Sequence, residues 1–126
     1  DTIYAGTGTE TIHGGEGDDT FVLNVSQSSS LNAHVLFGGA GEDTFIFEEE
    51  TSARYAEVPF IIEDFEVGID VIHFDVLQTN VSFDDLQIFK PSPEPYTYIK
   101  LADYDFTIAL KNVFVGAVDP DDFLFS

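Results

Sequence analysis

Cysteine, methionine and tryptophan are all missing from this 126-residue chain, and positive charge nearly so: 4 Lys+Arg stand against 24 Asp+Glu, a net −20. Without cysteine there is no disulfide framework, no thiolate zinc site and no thiol nucleophile. Arg54, Lys90, Lys100 and Lys111 are the whole complement of fixed cations. They are too few for a basic patch that grips nucleic acid or an anionic membrane surface. No apolar run reaches the roughly 20 residues that cross a bilayer as a helix, so membrane insertion is not expected. Residue 1 is not a methionine and no charged-then-apolar leader opens the chain, which is what a segment of a longer protein is expected to show.

What is present is apolar and glycine-rich. A hydrophobic content of 44% with thirteen phenylalanines is too high for a disordered acidic tail. The length suits one domain, or one with a small appendage, around a modest core. The acidity leaves two broad classes: a soluble acidic module, or a protein that binds multivalent cations.

A period of nine chooses between them. Gly14-Gly15-Glu16-Gly17-Asp18-Asp19-Thr20-Phe21-Val22 recurs as Gly38-Gly39-Ala40-Gly41-Glu42-Asp43-Thr44-Phe45-Ile46. Both fit G-G-x-G-x-D-x-U-x, with U large and apolar. Ala5 to His13 fits with Ala5 for Gly and Glu10 for Asp, and Asp1-Thr2-Ile3-Tyr4 is the tail of an earlier copy. A weaker copy, Ser29 to Phe37, has His34 at the Asp position and Leu36 at U, after a six-residue interruption from Leu23 to Ser28. Clustered glycines permit a tight turn, and the Thr-Phe-Val half alternates as a short strand with one face inward. Repetition winds such units into a flattened coil in which alternate turns stack on one edge. Ile3, Ile12, Phe21, Leu36 and Phe45 are expected to fill its centre.

Each turn offers carbonyl oxygens and one carboxylate, all hard donors, and calcium takes about six to eight of them in a forgiving geometry. One loop is too few; two stacked loops suffice. Counting along the coil puts the loops ending at Asp1, Asp19 and Asp43 on one edge and those ending at Glu10 and His34 on the other. The best site is therefore expected between Gly14–Asp19 and Gly38–Asp43, a second between Asp1 and Gly14–Asp19, and a degraded one on the edge of Glu10. Magnesium, which prefers a compact octahedron, suits these loops less well.

The repeat resembles that of the RTX family of calcium-binding, type I-secreted bacterial proteins. The resemblance implies a parallel β-roll with calcium between successive loops. It also implies ligands from Asp19 and Asp43 together with Gly14, Glu16, Gly17, Gly38, Ala40 and Gly41. It covers residues 1–47, while residues 48–126 are expected to form a mainly antiparallel β cap continuous with the roll. Ile62-Glu63-Asp64-Phe65-Glu66-Val67-Gly68-Ile69-Asp70-Val71-Ile72 is similar to the I-x-D-F-x-x-G-x-D-x-I stretch that closes RTX rolls, and Asp64 and Asp70 join the candidate calcium ligands. The ending Asp122-Phe123-Leu124-Phe125-Ser126 is similar to the C-terminus at which an uncleaved secretion signal is read.

The rest of the second half reads as strands: Phe60–Ile62, Val71–Phe74, Leu86–Phe89, Tyr96–Leu101 and Phe106–Leu110. Pro91, Pro93 and Pro95 mark one connection, Asp103-Tyr104-Asp105 another, and residues 48–55 an acidic insert. Asp119-Pro120-Asp121-Asp122 predicts an N-capped helical turn. The histidines His13, His34 and His73 lack the spacing that sets two ligands on one helix face, and the glycine runs lack the Lys and Ser/Thr of a phosphate loop. Tyr96, Tyr98 and Tyr104 read equally as a sugar platform or as one face of the cap.

The expectation is thus an all-β, non-catalytic calcium module. As a monomer it folds on meeting extracellular calcium and carries to the type I secretion apparatus the export information of a larger bacterial protein. The alternative is an accessory module that binds polysaccharide, or the parent's catalytic domain, on an extracellular enzyme such as an alginate epimerase or protease.

Overall fold

The computed structural model describes residues 1–4, 11–24, 34–48, 58–75, 82–91, 95–101 and 106–125. Ala5, Glu10, the 25–28 interruption, residues 49–55 of the acidic insert, Pro93 and Asp103-Tyr104-Asp105 lie outside them.

The strands are β1 (Thr2–Tyr4), β2 (Thr11–His13), β3 (Thr20–Asn24), β4 (His34–Phe37), β5 (Thr44–Glu48), β6 (Val58–Ile62), β7 (Val71–Asp75), β8 (Leu86–Phe89), β9 (Tyr96–Leu101), β10 (Phe106–Lys111) and β11 (Phe123–Phe125). They form two sheets, β1-β3-β5-β7-β11 and β2-β4-β6-β10-β9-β8. Odd and even turns of the coil thus go to opposite sheets through β7, as a flattened winding requires. The smaller sheet is wholly parallel. The larger is parallel from β2 to β10 and antiparallel across β10-β9-β8. The chain is all-β: a parallel β-roll joined to a mixed sheet.

The parallel winding does not stop where the glycine period does. β6 and β7 continue it after residue 47, β10 and β11 add a parallel strand to each sheet, and the antiparallel pairing is confined, among the described residues, to β8-β9-β10. The apolar alternation of Phe60-Ile61-Ile62 and Val71-Ile72-His73-Phe74 is enough to extend the stack without the repeat's glycines.

Register is set by the inward residues. Phe21 pairs with Phe45, and Phe45 with Ile72. The Phe21 and Phe45 rings stack at 4.8 Å, and both are fully buried with Leu36, Phe47, Phe60, Ile62 and Phe74. Each such burial stabilises by about 1.5–3 kcal/mol. Ile3 and Ile12 pack on the same core but only partly buried, being on the outermost turns. Among the described residues the helical pieces are single 3-10 turns at Phe83–Asp85, Val115–Ala117 and Pro120–Asp122. The last has Asp119 as its N-cap and Pro at its start, as its sequence predicts.

Candidate metal centre

Three loops carry the chain from the larger sheet to the smaller and lie on one edge: Gly14–Asp19, Gly38–Asp43 and Glu63–Asp70. Backbone bonds tie them into a stack. Gly14 N–H donates to the Phe37 carbonyl at 2.8 Å, Gly17 N–H to Ala40 at 2.9 Å and Glu63 N–H to Leu36 at 2.9 Å. The contact is close enough that side chains are excluded. Gly39, at φ +86°, would drive a Cβ into the Gly15 carbonyl, and Gly41, at φ +119°, into that of Gly17. These glycines therefore answer two needs at once, left-handed backbone and loop-to-loop approach.

The aspartates ending these loops form a ladder. Asp19 N–H donates to Asp43 Oδ1 at 3.0 Å, and Asp43 N–H to Asp70 Oδ1 at 3.0 Å. The amino nitrogen of Asp1 holds the corresponding place on Asp19 Oδ1 at 2.8 Å. Asp19, Asp43 and Asp70 are all buried, at 2%, 1% and 1% exposure. The second oxygens of Asp19 and Asp43 have no hydrogen-bond partner among the described residues. Each turns back beside the first glycine of its own loop, Gly14 or Gly38, where a Cβ would collide with it. A buried carboxylate oxygen left unpaired is costly, and a cation is the partner its charge calls for.

The electrostatics agree. Burial pushes the Asp43 carboxyl up from 3.8 to about 6; the Asp19 amide opposes the shift, and the charges of Asp70, Asp19 and Asp64 add to it. Burial also raises Asp70, against the amides of Asp43 and Glu66. A shallow cleft bordered by Asp18, Asp19, Thr20, Glu42, Asp43 and Thr44 opens along this edge. The donors are all oxygen, the chemistry of a hard divalent ion and not of zinc or copper. Among the described residues no three His, Cys, Asp or Glu side chains converge as a metal cluster. Loop carbonyls with one carboxylate per turn are a donor set of a different kind.

Other candidates are placed as follows. Asp64 reaches back to the second loop, its two oxygens accepting from Gly38 N–H at 2.8 Å and Gly39 N–H at 3.0 Å. Asp70 Oδ2 accepts from Glu66 N–H at 2.9 Å. Glu16 and Ala40 are exposed at the loop tips. Glu10 lies outside the described residues. His34 is buried and stacked on Phe60 at 5.4 Å, and His13 stacks on Phe37 at 4.5 Å. Sequence reasoning missed two contributors. Asp18 Oδ1 accepts from Glu42 N–H at 2.8 Å, and buried Asp122 accepts from Gly68 N–H at 3.1 Å. The Asp18-Asp19 doublet was a visible signal for the first; nothing local pointed from Asp122 to Gly68.

Residues 2–112 match the family described as Peptidase M10 serralysin C terminal. The chain belongs to that family. This serralysin C-terminal region is the RTX-repeat, non-catalytic part of type I-secreted, extracellular proteins. Among solved structures, the crystal structure of the extracellular lipase LipA from Serratia marcescens is similar at a TM-score of 0.58 and 13% identity, over 99% of this chain and 21% of the lipase. That likeness is one of fold, and the chain spans only about a fifth of the lipase. The solution structure of the AlgE6R3 subunit from the Azotobacter vinelandii mannuronan C5-epimerase aligns at a TM-score of 0.43 and 19% identity, over 94% of this chain and 78% of that one. No curated protein matches the chain in sequence.

Proposed function

We propose that this serralysin C-terminal module binds calcium between its stacked glycine loops, and that binding drives its folding. The single observation that carries this reading is the pair of buried, unpartnered carboxylate oxygens on Asp19 and Asp43. Asp19 and Asp43, with carbonyls of Gly14, Glu16, Gly17, Gly38, Ala40 and Gly41, would hold the ion; Asp1 offers a second, outer position. A bound ion supplies two positive charges to an edge whose buried carboxylates otherwise repel one another. In a chain of net −20, that neutralisation is a large part of the free energy of compaction. Asp64 and Asp70 act here chiefly as caps of the loop amides, since all four of their carboxylate oxygens already accept backbone bonds, three of which fasten the third loop to the second.

The export role follows from the same coupling. β11, Phe123–Phe125, is a strand of the folded smaller sheet, and Phe123 is 5% exposed. A secretion apparatus reading this end would meet it before folding, at low cytosolic calcium. The module would then fold outside, as a non-catalytic part of its parent protein. Far-UV circular dichroism during a calcium titration tests this: a cooperative rise in β signal, reversed by chelator, is expected. The same ordered spectrum in excess EGTA would overturn it.

A further inference from the structure

The larger sheet ends at β8, which pairs with β9 on one side and with no strand among the described residues on the other. An open edge is a template for a further strand, and proteins that stay apart blunt it with charge, proline or shortness. Leu86-Gln87-Ile88-Phe89 carries neither charge nor proline, and it is longer than β1, β2 and β11, the three-residue strands at the other sheet edges. The core also runs out here. Leu86 lies opposite Leu101, and Ile88 opposite Ile99. Leu101 and Ile99 are 1% exposed, whereas Leu86 and Ile88 are only partly buried against the same core. On the other face Gln87 and Phe89 are exposed.

Charge selects the occupant of this edge. A chain of net −20 repels its own copies over most of its surface. Yet residues 86–91, 95–101 and 106–118, which make up β8, β9, β10 and their flanks, include no aspartate or glutamate. Two copies can approach there without acid facing acid. Strand geometry then fixes the register. Directly opposed residues of an antiparallel pair share a face, so inward Leu86 and Ile88 must meet inward residues of the other copy. Gln87 opposite Gln87 on a twofold axis achieves this, setting Leu86 of each copy against Ile88 of the other. Centred on Ile88, the pair would put Lys90 against Leu86; centred on Leu86, it would put Asp84 against Ile88. The Gln87 register instead carries Lys90 of each copy toward Asp84 of the other, and both residues are exposed. The edge is thus complementary to itself in charge and in apolar residues, as an isologous contact requires.

We infer that this edge is a homodimer contact, in which β8 of two copies pairs antiparallel about Gln87 and joins the two larger sheets into one. The contact is small, so the dimer is weak and reversible, with a dissociation constant on the order of 0.1 mM. The monomer expected from the sequence prevails at dilution. The contact uses no residue of the glycine loops and requires only that the module be folded. The test is sedimentation equilibrium of the protein at fixed millimolar calcium, up to about 1 mM protein. A reversible monomer–dimer equilibrium is expected. Gln87→Glu and Gln87→Lys each set two like charges across the axis and should each weaken association roughly tenfold or more. An equimolar mixture of the two should associate at least as tightly as wild type, which a contact away from the axis would not produce. Calcium-induced folding of each variant, read by circular dichroism, should stay as in wild type. If either variant does not fold, Asp84→Lys and Lys90→Asp decide: each alone should weaken association, and the double variant should restore it. A wild type that stays monomeric throughout, folded single variants that associate as wild type does, or opposite charges that fail to restore association overturns the proposal, whatever the outcome of the calcium titration.

Discussion

Asp43 accepts the backbone N–H of Asp19, 24 positions earlier, on one carboxylate oxygen while the other stays buried and unpaired. One side chain is thus both a fastener between adjacent turns and a metal donor, and two substitutions separate the roles. Asp43→Asn keeps an oxygen for the Asp19 amide but removes the charge. It should raise stability in EGTA and blunt the gain from calcium. Asp43→Ala loses both roles and strands the amide, at a cost of about 1–3 kcal/mol with or without calcium. Thermal unfolding in EGTA and in calcium checks both. A metal-free destabilisation by Asn equal to that by Ala would sink the distinction.

Gly39 and Gly15 occupy the same place in successive loops but not the same surroundings. A Cβ at Gly15 meets nothing within 4 Å, so Gly15→Ala should cost only its left-handed backbone, about 1–2 kcal/mol. Gly39→Ala also pushes the Gly15 carbonyl away and opens the stack. It should cost more and demand a higher calcium concentration for folding. Chemical denaturation of the two variants at saturating calcium gives the comparison.

The titration of Asp43 fixes the direction of the pH response. Its folded carboxyl is raised from 3.8 to about 6, so the folded state holds its proton more tightly than the unfolded chain does. Without calcium, stability is therefore lost as pH rises through about 4 to 6, by up to about 3 kcal/mol from this group. Calcium needs the ionised form, so the increment it adds should shrink as pH falls below about 6. Unfolding temperatures at pH 5 and pH 7, each with calcium and with chelator, measure that increment. An increment larger at pH 5 than at pH 7 contradicts the assignment.

Asp122 closes the C-terminal end of the roll. Its two oxygens accept from Gly68 at 3.1 Å and from Asp119 at 3.0 Å, and it is 2% exposed. Asp122→Ala should lower stability by about 1–3 kcal/mol and release β11 from β7 before the rest unfolds. Hydrogen exchange at Phe123–Phe125 is the readout, and protection unchanged from wild type would refute the cap.

The nine-residue period was legible because each copy carries its own turn chemistry and its own inward residue. Gly14 to Phe21 needs no distant partner to be recognised as turn and strand. The positions of β7 to β10 were legible for a similar reason, since Val71-Ile72-His73-Phe74 and Tyr96 to Leu101 alternate with period two. Their partners were not. Nothing local in Phe60-Ile61-Ile62 says that it lies parallel between β4 and β10, and the loss of glycine at residue 48 reads as the end of a roll that in fact continues. Asp64 reads as a ligand by its chemical type, and only the stacked loops show Gly38 and Gly39 donating to it.

By itself, then, the amino-acid order determined an all-β winding with oxygen-rich turns, because backbone conformation at glycine and strand alternation are short-range properties. Tertiary structure alone decided which carboxylate oxygens are paired and which are orphaned, and how far the parallel stack runs. Those depend on register between strands distant in the chain, where burial and hydrogen-bond partners are chosen by packing.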